Sequence, residues 1–257
     1  MKIKKNIKTV LYFLLNQIFF FKSYSAKAAI LMYHSIDINS LFFTVHPEDF
    51  AEQMVYLKKK RFNVISLIQL VELIERKQII PKKTVVLTFD DGYEDNYLNA
   101  WPILKRYNFP ATIFLVSGSV EKTLYSKQNI TFKMLNWPQI QEMHKSGLID
   151  FQPHSLKHQK LTQIKLEQAK NEIKQSKEII EKQLNKSCYL FAYPRGDFNK
   201  EIIQILKENN FKSALTIGNS LIGIDSNLFN LFRKSINTET SMAQFKGKLK
   251  FNLKLFK

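Results

Sequence analysis

Two carboxylates stand side by side in Thr88-Phe89-Asp90-Asp91-Gly92-Tyr93, directly after the apolar run Val85-Val86-Leu87. Burial at a strand end penalises each charge, and the two repel unless a cation or a proton offsets them. On its own Asp-Asp-Gly is also an ordinary polar turn, so its company elsewhere in the chain has to decide. His154 and His158 have the i, i+4 spacing that brings two imidazoles to one side of a helical turn, and neutral imidazole is a common zinc ligand. The chain has five histidines in 257 residues, which makes such a pair informative. Two histidines and one aspartate would leave positions open for water and substrate, the layout of a metal-assisted hydrolase. His46, before Pro47, and His144, beside Met143, read as surface residues.

These residues need elements that bring them together. Apolar strand-like runs alternate with helix-like ones, the pattern of a parallel sheet wrapped by helices. Strands are expected at Ile30–Tyr33, Asn63–Leu67, Thr84–Phe89, Ala111–Val116, Leu148–Gln152, Tyr189–Tyr193 and Ser213–Ile217, seven in all. A helix over 47–60 is opened by Pro47 and two acids, and one over 163–184 carries Leu166, Ala169, Ile173, Ile180 and Leu184 at helical spacing. Reactive residues of a parallel barrel gather at the carboxyl ends of its strands. His34, Asp90 with Asp91, His154, and Pro194-Arg195-Gly196 each follow such a run directly. No internal repeat, Pro/Ser/Gly linker or low-complexity block divides the chain, so a single catalytic domain is expected.

The formal charge of +17 is concentrated at the termini. Residues 1–27 hold six lysines and residues 245–257 hold five, neither with an acid, which leaves +6 for everything between. No zinc-finger spacing, RNA-binding aromatic motif or phosphate-binding glycine loop is present, so no nucleic-acid partner is expected. The terminal charge fits an anionic membrane surface better. Lys2, Lys4, Lys5 and Lys8 precede an apolar run from Val10 to Phe21, which is signal-peptide length and short of the ~20 residues of a membrane span. Residues 1–28 are thus expected to be a signal peptide or N-terminal anchor, 29–244 the catalytic domain, and 245–257 a basic tail. In that tail Met242, Phe245 and Leu249 suit a last helix, while Leu249, Phe251, Leu253 and Leu255 alternate. Cys188 is the single cysteine, so an intrachain disulfide is excluded, and it reads as a small buried hydrophobe.

Thr88-Phe89-Asp90-Asp91-Gly92, His154-Ser155-Leu156-Lys157-His158 and Phe191-Ala192-Tyr193-Pro194-Arg195-Gly196 together resemble the signature motifs of polysaccharide deacetylases with the NodB homology domain, carbohydrate esterase family 4. The likeness runs from about Ile30 to Arg233. The Tyr33-His34-Ser35-Ile36 opening and the Phe-Ala-Tyr-Pro form of the third motif resemble the branch that deacetylates poly-N-acetylglucosamine.

That resemblance implies a distorted (β/α)7 barrel of the α/β class and an exported enzyme that removes acetyl from N-acetylhexosamine units of an envelope or matrix polysaccharide. It implies that Asp91, His154 and His158 hold a divalent metal, zinc foremost, and that Asp90 is the general base. The Arg195 backbone N–H would meet the oxyanion, and His34 would protonate the leaving amine, since no histidine follows His158. Tyr93 and Tyr193 are expected at the substrate. Ala192 stands where many members carry an arginine, so Asp90 needs another partner, for which Arg233 is a candidate. Arg195 replaces a usual aromatic residue. A glycosidase using two carboxylates, or a glycan-binding module without chemistry, would be the alternatives; the first needs carboxyl groups ~5 to 9.5 Å apart across a bond, which neighbours in sequence are poorly placed to provide.

Overall fold

The structure, a computed structural model, describes residues 27–125 and 130–250. The expected leader falls almost wholly outside the described residues, as do residues 251–257 and with them the expected contact with an anionic membrane surface. No helix among the described residues is long and apolar enough to cross a membrane.

Seven parallel strands form a nearly closed barrel: β1 Ala29–Tyr33, β2 Thr84–Asp91, β3 Ala111–Leu115, β4 Ile149–Pro153, β5 Leu190–Ala192, β6 Ser213–Ile217 and β7 Leu231–Ser235, in the order β5-β6-β7-β1-β2-β3-β4. The helices are α1 Pro47–Lys59, α2 Leu67–Glu75, α3 Trp101–Tyr107, α4 Trp137–Lys145, α5 Leu166–Leu184, α6 Lys200–Glu208 and α7 Met242–Lys250. In the central strand β2, Thr84 to Asp90 are all buried, as a strand covered on both faces requires. Alternation then sorts its residues. Val85, Leu87 and Phe89 pack outward with Phe50, Met54 and Leu57 of α1, while Val86 points to the other face with Ile30, Phe114, Leu215 and Leu231, where α2 supplies Leu67, Leu70, Val71 and Ile74.

Two expectations about elements are corrected. Asn63–Leu67 is not a barrel strand: only Asn63–Val64 pairs with the start of β2, and Ser66 then caps α2 through a capping box with Gln69. The seventh strand is instead β7, which lies between β1 and β6. Its sequence Leu-Phe-Arg-Lys-Ser puts two cations mid-strand, which disguised it, yet Arg233 and Lys234 are both buried. Leu166, expected on the apolar stripe of α5, is exposed, whereas Cys188 is buried. Ala28 bridges Ile222 and is buried, and Phe245 and Leu249 of α7 belong to the core.

The barrel is open between β4 and β5, the two ends of the strand order. Side chains close this seam in place of a backbone ladder. Gln152 Oε1 accepts from the backbone N–H groups of Tyr189 and Leu190, both at 3.0 Å. Lys186 Nζ donates to Phe151 O at 2.7 Å and pairs with Asp150. His154 Nδ1 donates to Ala192 O at 2.7 Å.

Because Gln152 accepts from two backbone N–H groups across the seam, that of Leu190 buried, Gln152→Leu is expected to destabilise the fold by about 1 to 3 kcal/mol, read as a lowered urea midpoint.

Candidate active site

Strand ends and the loops after them bring Asp91, His154 and His158 together. One donor atom from each lies within 4.8 Å of the others. His158 Nε2 is 3.6 Å from Asp91 Oδ1 and His154 Nε2 is 3.8 Å from the same oxygen. Asp91 Oδ1 is buried and has no hydrogen-bond partner. A buried carboxylate oxygen facing two imidazole nitrogens is an incomplete arrangement that a divalent cation would satisfy, so the residues present fit a metal. His158 is about one-third exposed, which leaves the triad an open side.

The local fold holds these side chains in place. The bond from His154 Nδ1–H to Ala192 O fixes the tautomer and leaves Nε2 free to bind. Burial lowers the His154 pKa to about 4, with neighbouring Asp90 and Asp91 opposing the shift, so the ring is neutral. The loop from His154 to His158 is pinned from α5: Glu172 Oε2 accepts from Leu156 N at 3.0 Å and from Lys157 N at 2.8 Å. Ser155 Oγ accepts from His158 N at 2.9 Å. Glu172 was not anticipated, although an acid beside Ala169 and Ile173 on a core-facing stripe was a visible anomaly. Four of the eleven non-glycine residues at positive φ among the described residues are Asp91, Ser155, His158 and Arg195. Such strained backbone persists where surrounding contacts over-determine it. Gly92 continues the turn at φ +85, where an added Cβ would meet Leu115 Cδ2 at 2.5 Å.

Asp90 differs in kind from its neighbour. Both of its oxygens are taken by one guanidinium: Arg233 Nη1 donates to Oδ1 at 2.5 Å and Nη2 to Oδ2 at 2.7 Å. The pair is buried on both sides, and the Arg233 guanidinium lies 5.3 Å from the Phe114 ring centre. Burial alone would raise the Asp90 carboxyl, but Arg233, with His154 and His34, holds it well below the usual carboxylate range. Asp90 stays ionised, and its Oδ2 lies 3.8 Å from His154 Nε2. Arg233 thus occupies the role that Ala192 leaves vacant.

The remaining expected residues fall in different places. His34 is half-buried after β1, its ring 6.0 Å from Phe43, and close enough to act electrostatically on Asp90. Arg195 is exposed beyond β5, in the left-handed region. Tyr93 is buried in a cluster with Phe43 and Phe132, where burial and then the neighbouring Asp91 carboxylate push its hydroxyl pKa up. Tyr193 is fully buried, its ring stacked on Phe198 and its hydroxyl donating to Phe229 O at 3.0 Å. The Tyr193 side chain, expected at the substrate, is buried in the core beneath the third motif. His46 is exposed and His144 half-buried, both away from the triad.

Residues 77–214, more than half of the chain, match the model of the polysaccharide deacetylase family. The chain belongs to this family. It is a hydrolase whose fold matches that of the Streptococcus pyogenes deacetylase PplD, solved in complex with acetate, with a TM-score of 0.78 and 29% identity over 88% of this chain and 100% of that one. The poly-beta-1,6-N-acetyl-D-glucosamine N-deacetylase of Staphylococcus epidermidis is 27% identical over 205 residues, 77% of this chain and 69% of that protein. IcaB from Ammonifex degensii, at 22% identity, shares the fold with a TM-score of 0.78 over 88% of this chain and 98% of that one. In this polysaccharide deacetylase the family match spans Asp90, Asp91, His154 and His158 but ends before Arg233 and begins after His34.

Removing one member of a buried ion pair leaves the other uncompensated. Arg233→Met is therefore expected to cost about 3 to 5 kcal/mol in denaturant unfolding. The double variant Asp90→Asn/Arg233→Met should regain at least half of that loss.

Proposed function

We propose that the chain is an exported, metal-dependent N-deacetylase acting on N-acetylhexosamine units of a cell-envelope or extracellular polysaccharide. The observation that carries this reading is the different fate of the two adjacent carboxylates. Asp90 has both oxygens bound to Arg233, while Asp91 keeps a buried oxygen without a partner toward His154 and His158. One is held as an ionised proton acceptor and the other as a ligand.

Asp91, His154 and His158 would hold the cation, zinc foremost. When bound, a divalent cation supplies Lewis acidity that polarises the acetyl carbonyl and lowers the pKa of water to ~7. Asp90 takes the proton of the attacking water, and Arg233 keeps that carboxylate ionised and aimed. The Arg195 backbone N–H, just beyond the carboxyl end of β5, stabilises the oxyanion. His34 then gives a proton to the departing amine, without which amide cleavage would stall.

The substrate class is supported by the relative named as a poly-beta-1,6-N-acetyl-D-glucosamine N-deacetylase, which has a similar sequence over most of this chain. Export is supported by the lysine-flanked apolar run between Val10 and Phe21.

Acetate release from β-1,6-linked N-acetylglucosamine oligomers should exceed that from chitin oligomers or peptidoglycan and stop on chelation. Release that is indifferent to chelator would overturn the metal assignment. Asp91→Ala is expected to lose bound zinc and turnover together. Asp90→Asn should keep zinc, by metal analysis of the purified protein, while turnover falls at least 100-fold. Zinc loss in Asp90→Asn would exchange the roles of the two aspartates.

A further inference from the structure

The paired aspartates lead, four residues on, into a π-helical turn, Asn96–Ala100, that starts after Asp95 and runs straight into α3. Such turns are rare and recur at functional sites. Three polar side chains of this turn hold three consecutive residues of the segment after β1. Asn96 Nδ2 donates to His34 O at 2.8 Å. Asp95 accepts from Ser35 Oγ at 2.7 Å and from Ile36 N at 2.9 Å, one on each carboxylate oxygen. Asn99 Nδ2 donates to Ile36 O at 2.8 Å. Asn96 Nδ2 also donates to Asp95 Oδ1 at 2.7 Å, which ties the holders to each other.

The imidazole that this segment carries has no comparable support of its own. His34 Nδ1 is buried and has no hydrogen-bond partner, and the ring packs near Phe43. A catalytic histidine is ordinarily oriented by a hydrogen bond to its second nitrogen. Here the position of the ring is inherited from its backbone, which three bonds from Asp95, Asn96 and Asn99 hold on one side and the pairing of Ser35–Ile36 with Thr44–Val45 holds on the other, while the Ser35 hydroxyl adds a fourth bond to Asp95. The arrangement has a cost: burial raises the Asp95 carboxyl to about 6 even though Ile36, Ser35 and Asn96 donate to it. A plain turn would need no such group.

We propose that Asp95, Asn96 and Asn99 are positioning residues for His34, so that the segment following the base and ligand carboxylates also sets the reach of the acid. This rests on the reading of His34 as the acid. Displacing a reacting group by about 1 Å can cost ~100-fold in rate, while substrate binding and chemistry that needs no acid are spared.

The test uses the full zinc-loaded chain with two substrates, an N-acetylglucosamine oligomer and an activated acetyl ester whose leaving group needs little protonation. Asn99→Ala and Asp95→Ala are expected to lower kcat on the amide by about 10- to 100-fold, with KM within about twofold and ester turnover within about threefold. Asp95→Asn, which keeps an acceptor for Ile36 N–H, should recover most of the amide rate. In a His34→Ala background, Asn99→Ala should add almost nothing to the amide loss, since residues that act through one another are not additive. Equal losses on amide and ester, or full additivity with His34→Ala, would overturn the proposal. If Asp95→Ala does not fold, Asn99→Ala alone decides, with bound zinc as its check of fold. A His34→Ala variant that loses amide and ester turnover equally would remove the acid reading and the proposal with it. A selective amide loss in His34→Ala that Asn99→Ala does not share would remove the proposal alone.

Discussion

A carboxylate sealed in the interior of a barrel needs a counter-charge, and for Asp90 that charge comes from Arg233 on a strand 143 residues further along the chain. The two-pronged geometry matters more than the charge alone. It occupies both carboxylate oxygens, fixes the plane of the group, and keeps it ionised despite burial. Asp91, one residue later, has a left-handed backbone and faces the same His154 nitrogen with an oxygen to spare. The left-handed backbone at Asp91 breaks the strand alternation, so a single Asp-Asp step brings two carboxylates to one histidine while giving them different partners. Their separate chemistries follow from those partners.

The open seam of the barrel serves the same site. Between β4 and β5, ladder bonds are replaced by side chains, and one of these belongs to the triad: His154 satisfies Ala192 O with one nitrogen and faces Asp91 with the other. Closing the sheet and orienting the imidazole are thus one interaction. Glu172 plays the matching part for the loop to His158, holding two backbone N–H groups from the side of α5. A metal site on a loop would otherwise be loose, because surface backbone lacks the ladder that stiffens a strand.

Much of this was legible in the residues. Apolar runs ending in His34, Asp90 and Asp91, His154, and Arg195 marked four strand ends, and a parallel barrel obliges strand ends to converge. The strand at Asn63–Leu67 was misread because a short apolar run has no periodicity to tell strand from helix, and the capping pair Ser66 and Gln69 tipped it to helix. Strand β7 was missed because Arg233 and Lys234 look like surface residues, and only their partners, Asp90 and the Lys248 carbonyl, make burial tolerable. That the Tyr193 ring is buried, with its hydroxyl on Phe229 O, could not be read from its neighbours in sequence.

The sequence by itself determined the chemistry on offer: which groups can bind a cation, which can move a proton, and at which strand ends they stand. Those depend on residue type and local spacing, which a chain carries without folding. Only the tertiary structure decided which partners those groups have: Arg233 on Asp90 and not on Asp91, Glu172 on the loop to His158, and the Asp95-to-Asn99 turn on the segment after β1. Each of these rests on a contact between residues at least 15 positions apart in the chain, fixed by burial and hydrogen bonding that no local pattern encodes.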